Sequence, residues 1–137
     1  LQYRYPEMHS AAQIKGPVRL MAFSLNGDAD MPDPGSGYPP LPDQPALEAT
    51  AEEIETGKEL YATACYGCHG VNGVTRFGGS VPDLRYANAE THAIWHGIVI
   101  GGARASNGMP GVEIEVEESE AIRNYILSLS EEIRAAQ

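Results

Sequence analysis

Apolar residues recur at helical spacing in the C-terminal part of the chain. One stripe consists of Ile54, Gly57, Tyr61 and Ala64, and this pattern predicts an amphipathic helix. A second stripe consists of Ile122, Tyr125, Ile126, Leu129 and Ile133. That helix is expected to begin near Glu117, because its acidic first turn suits the positive end of a helix dipole. A third helix is predicted from Asn88 to about Ile100, ended by Gly101 and Gly102. The pattern therefore predicts an all-α domain.

Local signals place the ends and the crossings of these helices. Thr50 and Glu53 have the spacing of a capping box, so the first helix should begin there and run directly to Cys65. Gly57 facing Tyr125 would let the first and last helices cross closely. The glycine-rich stretches 70–82 and 103–112 are predicted loops.

The N-terminal part follows a different pattern. The run V-R-L-M-A-F-S-L, residues 18–25, is apolar on nearly both faces and predicts a buried strand. A single strand is not stable alone, so it is either an edge strand packed loosely on the helical domain or part of a sheet elsewhere. Residues 32–45 hold six of the ten prolines and predict a semi-rigid, extended linker. We therefore divide the chain into an N-terminal extension (1–31), a Pro-rich linker (32–45) and a helical domain (46–137).

Composition and charge narrow the possible functions. The chain has 137 residues and a formal charge of −10. Residues 41–137 carry six basic and fifteen acidic side chains, a net charge of −9. This field repels phosphates and argues against nucleic-acid binding. It favours a partner with a basic or neutral docking patch, or simply keeps the surface solvated. No apolar run is long enough for a transmembrane segment, and no signal peptide opens the sequence, which indicates a processed product or a piece of a longer chain.

The two cysteines carry the clearest chemical signal. Residues 65–69 read C-Y-G-C-H, which is the attachment pattern of c-type haem. Cys65 and Cys68 lie on one helical turn, so each can form a thioether with one haem vinyl group, and His69 then reaches the iron. Two alternatives remain open: a redox dithiol, or a zinc site completed by His92 and His96.

A second iron ligand is expected downstream of the haem motif. Met109, in N-G-M-P, lies in a loop that a turn and a proline can stiffen. His92 or His96 would give bis-histidine ligation instead. We assign Met8, Met21 and Met31, which lie before the linker, to ordinary packing. His/Met ligation raises the reduction potential relative to stronger donors.

Four further residues are candidates for haem contacts. The Pro82 carbonyl can accept a hydrogen bond from His69 Nδ1, which would orient the imidazole. Arg85 and Arg104 can pair with haem propionates, because a guanidinium matches carboxylate geometry. Trp95, together with Ile98, packs either on the haem or in the protein core.

The helical domain resembles class I cytochromes c. The resemblance depends on C-Y-G-C-H, the Gly57/Tyr61 helix before it, Met109, and the Ile122/Tyr125 helix at the end. It implies the class I cytochrome c fold, with three main helices around one covalent haem c.

A closer resemblance covers most of the chain. The segments G-K-E-L-Y-A-T-A-C-Y-G-C-H-G, V-P-D-L-R, I-V-I-G-G-A and N-G-M-P resemble the cytochrome domain of quinohaemoprotein alcohol dehydrogenases. In that family a linker joins the cytochrome to a propeller that binds pyrroloquinoline quinone (PQQ). Residues 15–32 resemble the last propeller strand and its exit, which would explain the isolated strand.

This resemblance implies a specific role. We expect PQQ only in a partner or precursor domain, no catalytic site in this chain itself, and a periplasmic location. The chain would accept electrons from a PQQ-binding propeller subunit or domain and pass them to an external acceptor: a small copper protein, a cytochrome or a quinone. It would be a subunit, a fragment or a cleaved product. The alternatives are a free-standing soluble periplasmic cytochrome c, or a haem enzyme or ligand sensor with an open iron site.

Overall fold

The computed structural model describes residues 25–28, 30, 39–75 and 80–135. The predicted strand over 18–25, apart from its last residue, and linker residues 32–38 lie outside the described residues, as do Met8, Met21 and Met31. The α-helices are α1 (Ala51–Ala64), α2 (Tyr66–His69), α3 (Ala89–Ala93), α4 (Trp95–Val99) and α5 (Val116–Ala135). Short 3₁₀ turns cover Val71–Gly73, Leu84–Tyr86 and Ala105–Asn107. The described part of the chain contains no strand, in agreement with the all-α prediction.

The fold is organised around the crossing of α1 and α5. At Gly57 an added Cβ would lie 2.0 Å from the Ala121 carbonyl oxygen and 3.1 Å from Tyr125 Cβ, so only glycine lets the two helices approach this closely. Below the crossing, the Tyr61 and Tyr125 rings pack in a tilted arrangement with centroids 5.4 Å apart. The buried core consists of Tyr61, Trp95, Val99, Ile122, Tyr125, Ile126 and Leu129. The predicted role of Gly57 is confirmed.

The beginning of α1 follows its sequence signal. The Thr50 hydroxyl accepts from Glu53 N–H at 3.2 Å, and the Glu53 carboxylate accepts from Thr50 N–H at 2.7 Å. These reciprocal bonds satisfy backbone groups that a helix start leaves without partners. The bonds that the Glu53 carboxylate accepts from the Thr50 backbone N–H and hydroxyl lower the pKa of Glu53. Helix α5 begins at Val116, one residue before the predicted start.

The predicted single helix from Asn88 to about Ile100 is wrong. The chain forms α3 and α4 instead, separated at Ile94, whose φ and ψ are −111° and 19°. Ile94 is 55% exposed, so core packing does not hold this β-branched residue in helical geometry. On the far side of the break the Trp95 indole N–H donates to the Ser119 carbonyl at 3.0 Å, which ties α4 to α5.

Linker residues 39–45 contain no helix or strand, and this irregular segment continues to Thr50. It is nevertheless bonded to the helical domain, because Ala89 N–H donates to the Asp43 carbonyl at 2.9 Å. Among the described helices, none combines the length and apolarity needed to cross a membrane.

Candidate haem-binding site

The cysteine motif lies on a single helical turn at the end of α1. Cys65 caps α1 and begins the turn, and its carbonyl accepts from Cys68 N–H at 3.2 Å and His69 N–H at 2.9 Å. Cys65 is half-buried, Cys68 is exposed, and both are free thiols. Burial raises the pKa of Cys65 to about 11. The turn thus presents two thiols and an imidazole within five consecutive residues.

His69 is buried and held by a backbone carbonyl. Its Nδ1 lies 3.3 Å from the Pro82 oxygen, which is the contact expected from the sequence. When Nδ1 carries the hydrogen it donates to Pro82, and Nε2 is then the nitrogen available to a metal. Burial lowers the pKa of His69, and the Pro82 contact opposes this only in part. The imidazole is therefore held in its neutral, metal-binding form.

His69 opens into a cavity of about 340 Å³. Predicted site residues Cys65, His69, Pro82, Trp95, Arg104 and Met109 all line this cavity. The other lining residues are Pro42, Leu84, Tyr86, Ala87, Asn88, Thr91, Ile98 and Val99. The structure therefore brings the Cys65 thiol, the His69 imidazole and the Met109 thioether to one largely apolar cavity, whereas Cys68 is exposed and is not among its lining residues.

A structured loop positions Met109. Its N–H donates to the Arg104 carbonyl at 3.2 Å, and Gly108 before it has a φ of 89°, a conformation that favours glycine. After the loop, Val112 N–H donates to the Val99 carbonyl at 2.8 Å, which fastens the chain to α4. Met109 is half-buried and packs against the core. The loop is thus held at both ends.

The two arginines differ in position. The Arg104 side chain lines the cavity. Arg85 does not; its guanidinium donates to both carboxylate oxygens of the buried Asp83, at 2.9 and 2.6 Å. Asp83 also accepts from Arg85 N–H at 3.1 Å, so the pair fixes the turn that follows Pro82. Contacts of either arginine with haem propionates remain a prediction.

Two tyrosine hydroxyls stabilise the chain after His69, a feature that sequence reasoning missed. Tyr61 is 2% exposed; its hydroxyl donates to the Gly70 carbonyl at 2.6 Å and accepts from Gly73 N–H at 2.9 Å. The Tyr125 hydroxyl donates to Asn72 Oδ1 at 3.0 Å. Burial raises the pKa of both phenols. A tyrosine at a helical core position is the only signal in the sequence for these contacts.

The two histidines of the alternative ligand sets lie elsewhere. His96 Nδ1 is 3.0 Å from the Ser119 hydroxyl, and its Nε2 is 3.3 Å from a Glu120 carboxylate oxygen. His92 is buried and stacks on Trp95, with ring centroids 5.7 Å apart. Neither lines the cavity. The described residues also contain no group of three or more His, Cys, Asp or Glu placed to hold a metal ion, so the zinc alternative lacks support.

The cavity lining contains no acidic side chain among the described residues. Besides His69, the ionisable residues of this described lining are Cys65, Tyr86 and Arg104. Helix α1 instead carries Glu52, Glu53, Glu55 and Glu59, and α5 carries Glu117, Glu118, Glu120, Glu131 and Glu132. A hydrogen bond from Arg123 lowers the pKa of Glu120. The described lining of the cavity therefore lacks carboxylates although the chain is strongly acidic.

These groups fit a covalently bound haem. Cys65 and Cys68 supply free thiols at the required spacing, His69 supplies an oriented neutral imidazole, and Met109 supplies a thioether in the same cavity. Imidazole and thioether are the axial donors of electron-transfer haems. The apolar lining from Trp95 and its neighbours suits the flat faces of a porphyrin.

Comparison with known proteins agrees with this chemistry. Residues 54–130 match the cytochrome c family. Quinohemoprotein alcohol dehydrogenase ADH IIB of Pseudomonas putida is 34% identical over 84% of this chain, and lupanine 17-hydroxylase [cytochrome c] of Pseudomonas sp is 35% identical over 89%. The 1-butanol dehydrogenase (cytochrome c) of Thauera butanivorans is 31% identical over 95%. The matches cover 17%, 17% and 19% of those proteins, so this chain corresponds to a small part of each.

A solved structure shows the same architecture. Quinohemoprotein alcohol dehydrogenase ADHIIG from Pseudomonas putida HK5 superposes with a TM-score of 0.64 and 34% sequence identity. The match covers 81% of this chain and 16% of that one. The helical fold predicted from the sequence is thereby confirmed.

Proposed function

Because the chain belongs to the cytochrome c family, we propose that it carries one haem c joined to Cys65 and Cys68 and transfers single electrons. The observation that carries this proposal is the convergence of Cys65, His69 and Met109 on one apolar cavity. His69 and Met109 would be the two axial ligands. The haem supplies the one-electron couple of its iron.

The protein's own residues supply the environment for that couple. The Pro82 carbonyl orients the His69 ring, and a hydrogen bond at Nδ1 increases the basicity of the ligating nitrogen. The bonds at both ends of the Met109 loop hold the weaker thioether ligand in position. Trp95, Ile98 and Val99 exclude water from one side of the cavity, and a dry site favours the less charged, reduced iron.

We propose a PQQ-dependent alcohol dehydrogenase as the electron donor, present as a domain or a subunit. The support is the sequence similarity to quinohemoprotein alcohol dehydrogenases along most of this chain. PQQ would belong to that donor, and residues 1–31 and 32–45 would be the last propeller strand and the linker. The external acceptor would be a small copper protein, a cytochrome or a quinone, and the location the periplasm. None of the described residues that line the cavity is acidic, so the lining itself adds no negative charge that would repel an acidic partner.

The covalent bond is tested on the chain produced in a host that attaches c-type haem. The intact mass should exceed that of the polypeptide by one haem, and acid–organic extraction should leave the colour on the protein. A C65A/C68A variant should lose both properties, whereas H96Q, which changes a histidine outside the cavity, should keep them. Complete extraction of the colour from the unchanged chain would refute covalent attachment.

The donor is tested by isolating the native complex. A PQQ-binding protein or precursor should co-purify with the haem-bearing chain, and its alcohol substrate should reduce the haem. Removing residues 1–40 should abolish that association. A chain that occurs alone and functions equally well without residues 1–40 would instead be a free-standing carrier.

A further inference from the structure

The end of the linker is fastened to the wall of the haem cavity by one side chain. Gln44 Nε2 donates to the carbonyl oxygens of Arg85 and Ala87, at 3.0 and 2.7 Å, and lies 3.3 Å from the Ser130 hydroxyl. Its Oε1 accepts from Arg134 at 3.2 Å. These contacts join residues that are far apart in sequence. Gln44 therefore links three elements: the linker, the 3₁₀ turn Leu84–Tyr86 and α5.

The same segment makes two further contacts. The Asp43 carbonyl accepts from Ala89 N–H at 2.9 Å, which satisfies a donor that the start of α3 would leave without a helical partner. Pro42, one residue earlier, lines the haem cavity beside Leu84, Tyr86 and Ala87. We call residues 42–44 the linker latch.

We propose that the linker latch completes the haem pocket and fixes the direction from which the electron donor approaches the haem. The backbone carbonyls that Gln44 engages flank Tyr86, a residue of the cavity wall. Pro42 forms part of the wall itself. The described end of the linker is thus fastened beside the cavity, to the Leu84–Tyr86 turn and to α5. The part of this inference that concerns the donor rests on the function proposed above.

Gln44 is accordingly a positioning residue, which acts through Pro42 and the Leu84–Tyr86 turn. Q44A removes every contact of the amide, and Q44M removes the hydrogen bonds but keeps most of the side-chain volume. R134A is the matched control, because Arg134 is exposed and touches the latch only through Gln44 Oε1. Q44M preserves the test if Q44A does not fold.

The first measurement uses the haem-loaded chain. In both Gln44 variants the Ala89 amide should exchange its hydrogen about tenfold faster, the factor equivalent to one hydrogen bond of ordinary net strength. The reduction potential should fall, because loosening Pro42 admits water to the haem. R134A should change neither quantity. Unchanged Ala89 exchange and unchanged potential in Q44A or Q44M would overturn the proposal.

The second measurement uses the chain together with its donor. The lower potential slows reduction by any donor to some extent, so the rate with a small soluble reductant is the reference. Substrate-driven reduction of the haem should be slowed more than this reference rate in the Gln44 variants. Equal slowing by both routes, or no slowing by the donor, would overturn the positioning role. If no PQQ-dependent donor exists, the exchange and potential results still decide whether the latch completes the pocket, so the two proposals fail separately.

Discussion

Replacing Tyr61 by Phe tests how the chain that follows the haem-binding histidine is held. The substitution keeps the ring that packs against Tyr125 and removes only the hydroxyl. That hydroxyl serves two backbone groups, the Gly70 carbonyl at 2.6 Å and the Gly73 N–H at 2.9 Å. Gly70 directly follows His69, and both glycines have positive φ, so other residues would be strained there.

The expected cost follows from the burial of the two groups. A buried polar group that loses its partner costs about 1–3 kcal/mol. Gly73 is buried and carries the full penalty, whereas Gly70 is half-buried, and water can replace part of its bond. We therefore expect Y61F to lose about 2–4 kcal/mol of unfolding free energy. Y125F should lose only about 0.5–1.5 kcal/mol, because its acceptor Asn72 is exposed.

The assay is denaturant unfolding of the haem-loaded chain, followed by far-UV circular dichroism. The two variants should differ in the denaturant concentration at the midpoint of unfolding. The dependence of their unfolding free energy on denaturant concentration should equal that of the parent protein, because neither substitution changes the surface exposed on unfolding. Proteolysis should also open the chain near residue 70 earlier in Y61F than in Y125F. The reasoning fails if Y61F is no less stable than Y125F.

Three further predictions concern other parts of the structure. G57A forces a Cβ to within 2.0 Å of a carbonyl on α5 and should lower the unfolding free energy by about 3 kcal/mol or more. In the control G97A the added Cβ meets nothing within 4 Å, so this variant should be neutral or stabilising by up to about 1 kcal/mol. Thermal unfolding compares the two variants, and equal melting temperatures would contradict the close crossing. Burial, helped by Arg123, holds the pKa of His92 below 6.5, so the unfolded chain binds the proton more readily as the pH falls below 6.5. The unfolding free energy of the parent protein should therefore fall over that range, and that of H92F should fall less. If both free energies change in parallel with pH, His92 is not the cause of the loss. M109A should lose the far-red charge-transfer band between the Met sulfur and the oxidised iron, and its reduction potential should be lower. If the band and the potential are both unchanged, Met109 is not an iron ligand.

Local signals predicted much of the helical domain. The capping pair Thr50 and Glu53 marked the beginning of α1, because each partner of the box lies within one turn of the other. The spacing of Gly57 and Tyr125 on two apolar stripes predicted the helix crossing. The C-x-x-C-H pattern carries its ligand chemistry in five consecutive residues. Such features need no knowledge of the remaining fold.

Features that depend on distant partners were not predictable. The helix break falls at the β-branched, exposed Ile94, beside the tie between Trp95 and the distant Ser119, and the apolar pattern of residues 88–100 did not mark it. Gln44 resembles any polar linker residue until the carbonyls of Arg85 and Ala87 are brought beside it. In both cases tertiary contacts decide between options that the local sequence leaves equal. Arg85 differs, because its partner Asp83 lies only two residues away, so this local ion pair could have been weighed from the sequence against a haem propionate.

The crossing of α1 and α5 also orders events during biosynthesis. The residues in contact at Gly57 lie on the first and last helices of the helical domain, so the crossing cannot form until residues 116–135 have been made. Until then the apolar stripe of α1 has no α5 to pack against, and Tyr61 has no Tyr125 beside it. The core of the domain therefore closes late, when its last helix becomes available.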